Sequence, residues 1–170
     1  MWGRPLANTN RSSSGGHVFL SYVGEDRQLV DWLQARLERA GIPVWRDVRD
    51  LWPGDVWKRR IQDAVEHQSL AYVPCFSSNL KQRARSTMYT ELSWAAEEYR
   101  RRPPDIPWMI PVLLDDCALP WYDLGAGLTI ADLQWANLAD GSREHELDRL
   151  ITVLCRILGS SPGDMRESAS

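Results

Sequence analysis

Short, almost wholly apolar segments alternate along this chain with longer segments of helical periodicity. The apolar segments predict four strands, at 17–22, 42–46, 69–76 and 108–114, and a weaker one at 128–134 predicts a fifth. Strands without polar alternation are typical of a parallel sheet that is covered on both faces. We therefore expect helices on both sides of this sheet.

Four segments carry apolar residues at spacings of three and four, which indicates helices with one buried face. They span 25–41, 55–68, 85–100 and 143–158. The predicted inward positions are Leu29, Leu33, Leu37 and Ala40 in the first helix, Trp57, Ile61, Ala64 and Val65 in the second, and Met88, Leu92, Ala95, Ala96 and Tyr99 in the third. Glu91 stands directly beside the apolar stripe of the third helix.

The alternation of strands and helices predicts an α/β domain with right-handed crossovers. The expected fold is flavodoxin-like, a five-stranded parallel sheet in the order 2-1-3-4-5 with helices on both faces. Its ligand crevice opens at the carboxyl ends of strands one and three. Those ends carry 21–26 and 75–79, the loop 47–55 flanks them, and the helix of Glu91 follows strand three. Glu91 is therefore expected near the rim of the crevice.

The length of 170 residues suits one folded domain, predicted at 17–158, between a disordered N-terminal arm at 1–16 and a disordered tail at 159–170. The net charge of −3 and the absence of a long basic run argue against a nucleic-acid partner. No apolar run reaches membrane-spanning length. The three distant cysteines have no metal-site spacing and suit a reducing compartment, so we expect a cytoplasmic protein without a bound metal.

Several familiar sites are excluded by missing residues. No GxGxxG follows the first strand, and no GxxxxGK[ST] is present. A phospho-accepting receiver needs an aspartate where this chain has 75–77, and the histidines at 17, 67 and 145 are misplaced for a catalytic triad. The crevice keeps one carboxylate, several hydroxyls and aromatic rings. This set permits, without requiring, cleavage of a glycosidic bond in a sugar or nucleotide.

Five segments, in the same order and spacing, resemble a Toll/interleukin-1 receptor (TIR) domain of the bacterial kind. They are "VFLSYVGEDRQLVDWL" (18–33), "GIPVWRDVRDLWPGDVWKRRIQDAV" (41–65), "AYVPCFSSN" (71–79), "RSTMYTELSWA" (85–95) and "PWMIPVLLDDC" (107–117). "FLSY" alone is weakly specific, but the ordered set is a strong signal. The resemblance extends over about 17–158.

The resemblance implies an enzyme that cleaves the bond between nicotinamide and ribose in NAD⁺. NAD⁺ would be its substrate, and no further cofactor is expected. By similarity, Glu91 corresponds to the catalytic glutamate of this family. The predicted substrate-binding residues are Ser21, Tyr22, Val23, Gly24, Asp50, Trp52 and Ser77. Many catalytic members have tryptophan four residues before the glutamate, where this chain has Thr87.

The 47–55 loop has a second implied role, because assembled TIR enzymes use it to contact a neighbouring TIR domain. Trp52 lies beside a Pro-Gly turn in this loop, which favours an outward side chain. Two other functions remain open at this point. Many TIR domains are non-catalytic adaptors that associate through the same loop, and the crevice would also suit a nucleotide sensor that binds without turnover.

Overall fold

The computed structural model describes residues 16–46, 59, 62–65, 69–82, 86–139 and 141–159. Five parallel strands form its main sheet: β1 (His17–Ser21), β2 (Val44–Arg46), β3 (Ser69–Phe76), β4 (Val112–Leu113) and β7 (Ala136–Asn137). Their order is β2-β1-β3-β4-β7. The flavodoxin-like sheet predicted from the sequence is thereby confirmed, with the fifth position taken by β7.

The predicted location of the fifth strand, 128–134, is wrong. There β6 (Leu128–Thr129) pairs antiparallel with β5 (Asp123–Gly125) in a separate two-stranded sheet. A single 3₁₀ turn at Ile130–Asp132 then ends the segment. The strand that joins the main sheet, β7, is only two residues long. A strand of that length is too short to show any hydrophobic periodicity.

Four α-helices complete the described fold: α1 (Arg27–Arg39), α2 (Ser78–Lys81), α3 (Thr87–Arg101) and α4 (Arg143–Ile157). The prediction for the first helix is wrong at Leu29, which is 36 % exposed, whereas Val30, Leu33 and Leu37 are fully buried. The buried stripe follows spacings of three and four from Val30, and Leu29 lies beside it. The helix ends before Gly41, whose φ of 78° suits a glycine.

The second predicted helix, 55–68, falls only partly within the described residues. Residues 62–65 are helical, and Ala64 and Val65 are buried as predicted. Trp57, Ile61 and the whole 47–55 loop lie outside the described residues, as do 1–15 and 160–170. The predicted domain limits therefore stay predictions.

The sheet separates two layers of buried side chains. Val18, Leu20 and Tyr22 contribute to the layer that includes residues of α1 and α4. Phe19 and Val23 contribute to the layer that includes residues of α3. Successive side chains of a strand point to opposite faces of the sheet. At the end of β1, Ser21 and Tyr22 therefore face opposite layers.

Within the residues described, no helix is long and apolar enough to cross a membrane.

Candidate active site at the ends of β1 and β3

Glu91 is held on the inner face of α3. The hydroxyl of Ser86 accepts a hydrogen bond from the backbone N–H of Met88, 3.2 Å away, and so caps the start of the helix. This start places Glu91 in the second turn, between the buried side chains of Met88 and Leu92. Glu91 is only 2 % exposed, which is deeper than the predicted position at the rim.

The last residue of β1, Ser21, meets this carboxylate. Its hydroxyl donates a short hydrogen bond to Oε2 of Glu91, and Ser21 itself is 1 % exposed. A buried carboxylate needs such donors to replace the water that it loses. The structure therefore brings together two residues that the sequence assigned to one site.

Tyr72 of β3 is the third member of this group, and it was not among the predicted site residues. It is fully buried, pairs in register with Phe19, and stacks between the rings of Phe19 and Trp108, with centroid distances of 5.7 and 5.8 Å. Burial, and then the charge of Glu91, raise the pKa of the Tyr72 hydroxyl well above its usual value. The signal that could have found it is the one tyrosine in the apolar strand "SLAYVPCF".

Tyr22 faces the other layer, away from Ser21. Its hydroxyl accepts a hydrogen bond of 2.5 Å from Nη2 of Arg46, and its ring lies 4.6 Å from the same guanidinium. Nη1 of Arg46 donates to Asp31 at 2.5 Å and to Gln34 at 2.9 Å. Burial opposes the charge of Arg46, but its hydrogen bonds to Tyr22 and Asp31 outweigh this effect and raise the pKa of the guanidinium. The buried Arg46 was not predicted either.

Ser77 is joined to Asp26 instead of Glu91. Its hydroxyl donates a short hydrogen bond to Asp26 and accepts one of 3.2 Å from the backbone N–H of Asn79. The side-chain amide of Asn79 also donates to Asp26, at 2.8 Å. Asp26 is 4 % exposed, so this cluster ties the segment after β1 to the segment after β3 from within.

The structure gives less information on the other predicted substrate-binding residues. Val23 is buried in the layer of α3, and Gly24 is exposed, with open space where a side chain would begin. Asp50 and Trp52 lie outside the described residues. In the part of the chain that the structure describes, no group of His, Cys, Asp and Glu side chains could hold a metal ion.

Comparison with known proteins decides the family. A sequence model of the TIR domain matches residues 18–151. The chain belongs to the TIR domain family. Members of this family act in signal transduction, some as enzymes that cleave NAD⁺ and others as adaptors that associate with further TIR domains. A search of curated proteins found no match.

A solved TIR domain has the same fold as this chain. The TIR domain of the Toll-related receptor TRR-2 from Hydra magnipapillata is 23 % identical, with a TM-score of 0.59 over 80 % of this chain and 98 % of that one. The TIR domains of the activated Roq1 resistosome, which directly recognises the pathogen effector XopQ, are 26 % identical. That match has a TM-score of 0.49 and covers 58 % of this chain and 57 % of that one.

Proposed function

We propose that this TIR domain is an NAD⁺ glycohydrolase, with Glu91 as its catalytic residue. The single observation that supports this proposal is the buried Glu91 carboxylate, held by the Ser21 hydroxyl where β1 and β3 end. This end of a parallel sheet is the usual ligand position in the fold, and the family includes enzymes of this kind. The products would be nicotinamide and ADP-ribose, or a cyclic form of ADP-ribose.

The proposed reaction breaks the bond between the nicotinamide nitrogen and C1 of the ribose. The electron pair of this bond goes to the nitrogen, so nicotinamide leaves neutral and positive charge develops on the ribose. The carboxylate of Glu91 stabilises that charge electrostatically. Water then adds to C1 and loses a proton to give ADP-ribose, whereas attack by an adenine nitrogen would give the cyclic product.

The other site residues would serve this step in different ways. Ser21 orients the carboxylate, and the open space at Gly24 leaves room for the nucleotide near the end of β1. Ser77 would shape the crevice through Asp26. Asp50 and Trp52 remain proposed substrate-binding residues. Tyr22 and Val23 would contribute through their backbone, because the side chain of Tyr22 is held by Arg46 and that of Val23 is buried.

The decisive test replaces Glu91 with glutamine and measures nicotinamide release. Glu91→Gln keeps the shape of the side chain and removes its charge, so we expect turnover to fall by about 100-fold or more. Glu97→Gln is the matched control, because Glu97 lies on the exposed face of the same helix. Both variants should keep the melting temperature close to that of the parent, since neither change removes apolar packing.

Two other outcomes would replace the proposal. Full activity in Glu91→Gln would show that this residue is not catalytic. If the parent protein did not turn over NAD⁺, either in dilute solution or crowded on a surface, the domain would be an adaptor. If NAD⁺ nevertheless raised its melting temperature, the domain would be a sensor that binds without turnover. As an enzyme, the domain would act in bacterial immune or stress signalling in the cytoplasm, where its three free cysteines would stay reduced.

A further inference from the structure

A large cavity lies at the edge of the sheet, where β4 and β7 begin, and none of the predicted site residues that the structure describes lines it. Its volume is about 650 Å³. Its walls come from the end of α3, the segment 102–110, the hairpin of β5 and β6, residues 133–136, and α4. Because β4 and β7 are short, residues of both core layers reach this one cavity.

Apolar side chains line most of the cavity, both at its floor and at its mouth. Trp108, Met109, Leu124 and Leu150 line it and are at most 4 % exposed. Near its mouth, Ile106, Leu128 and Trp135 are 59, 41 and 43 % exposed. These three are half of the six large hydrophobic residues that are exposed in the described part of the chain. Such a concentration of exposed apolar surface is typical of a binding site.

Most charged groups of the walls are already engaged with the protein, whereas Asp105 is exposed. Glu146 receives a hydrogen bond of 2.8 Å from Arg149, and Nε of Arg100 donates to the carbonyl of Leu124 at 3.0 Å. Gly125 has a φ of +89°, and a Cβ there would come within 2.6 Å of Nε of Arg100. The absence of a side chain at Gly125 therefore lets Arg100 lie against the hairpin. What the walls offer a ligand is mainly apolar and aromatic surface.

We propose that this cavity is a binding site for a small aromatic molecule with a largely apolar ring system. Its volume is within the range of pockets that hold drug-sized ligands. Trp135 at the mouth offers a half-exposed ring for stacking, and the buried aliphatic side chains of the floor match a planar apolar body. A depth that reaches Trp108 suits a compact ligand better than the flat face of a protein. This proposal does not depend on the NAD⁺ activity.

The test uses the intact protein and the probe 8-anilinonaphthalene-1-sulfonate, whose fluorescence rises in apolar sites. Val153→Trp fills the cavity from α4, and Arg156→Trp adds the same ring at an exposed position of α4 outside it. We expect Val153→Trp to weaken probe binding at least about tenfold, equivalent to about 1.4 kcal/mol. Arg156→Trp should bind like the parent.

A second pair of variants keeps the test valid if Val153→Trp fails to fold. Trp135→Ala removes the ring at the mouth, whereas Trp121→Ala removes a ring that is 79 % exposed outside the cavity. Only Trp135→Ala should weaken binding. Equal probe affinity in all folded variants would overturn the proposal. Unchanged probe affinity together with a change of sedimentation in Val153→Trp would also overturn it, and would assign the cavity to contacts between copies of the chain.

Discussion

The hydroxyl of Ser21 donates its hydrogen bond to the carboxylate of Glu91, although the two residues are 70 positions apart in the chain. One is the last residue of β1, and the other lies in the second turn of α3. Both are almost completely buried. Strand β1 and helix α3 together therefore fix the position of this carboxylate.

Removal of this donor should impair the reaction more than the fold. We expect Ser21→Ala to lower kcat for nicotinamide release by about tenfold, because a hydrogen bond from a neutral donor to a charged acceptor contributes about 1.5 kcal/mol or more. KM should change little if Ser21 acts through Glu91. Ser93→Ala, at an exposed position of α3, is the control. Unchanged kinetics in Ser21→Ala would show that Glu91 does not depend on Ser21.

Loss of the buried Arg46 guanidinium should destabilise the fold strongly. Arg46→Ala would remove the hydrogen bonds that the guanidinium donates to the hydroxyl of Tyr22 and to Asp31, and would open a cavity between β2 and α1. We expect the free energy of unfolding in urea to fall by about 3 kcal/mol or more. The control is Glu144→Gln, which breaks an exposed pair with Arg36 and should leave the unfolding curve almost unchanged. Similar curves for both variants would contradict this prediction.

Alkaline pH should weaken the fold through four groups whose pKa is raised in the native state. Burial raises the pKa of the Cys75 and Cys155 thiols and of the Tyr72 hydroxyl. Partial burial and the Asp115 carboxylate raise the pKa of Cys117 to about 11. The unfolded chain releases these protons near the ordinary values of 9.0 and 10.0, so it binds fewer protons than the native state. The free energy of unfolding should be highest below about pH 9 and decrease above it.

Urea titrations between pH 7.5 and 10 would measure this decrease. Cys75→Ala removes one of the four groups, so its free energy of unfolding should fall less steeply with pH than that of the parent. A free energy that stayed constant over this range would contradict the assignment.

Self-association through the 47–55 loop stays a prediction from the sequence. Trp52 beside its Pro-Gly turn would act as an aromatic anchor for a neighbouring TIR domain. If so, Trp52→Ala should reduce NAD⁺ turnover most at low protein concentration, and crowding should partly restore it. Specific activity that is independent of concentration in both proteins would contradict this role.

The sequence predicts the fold well where an apolar segment or a helical period is long. The third strand was predicted at 69–76, as observed, and the buried stripe of α3 at Met88, Leu92, Ala95 and Ala96 is confirmed. The sequence does not predict β7, because a strand of two residues is too short to show a hydrophobic period. The family resemblance pointed to Ser21 and Glu91, but contacts between distant segments were invisible to it. Asp26, Arg46 and Tyr72 are buried polar residues whose partners become known only once the chain is folded.

The alternation at the end of β1 has a consequence for insertions and deletions. Ser21 reaches Glu91 on one face of the sheet, and Tyr22 reaches Arg46 on the other. Deletion of one residue within β1 would exchange these faces, because a shift of one position turns every side chain over. A tyrosine would then meet the carboxylate and a serine the guanidinium. Relatives should therefore differ in length in their loops, while the distance from the start of β1 to this dipeptide stays constant.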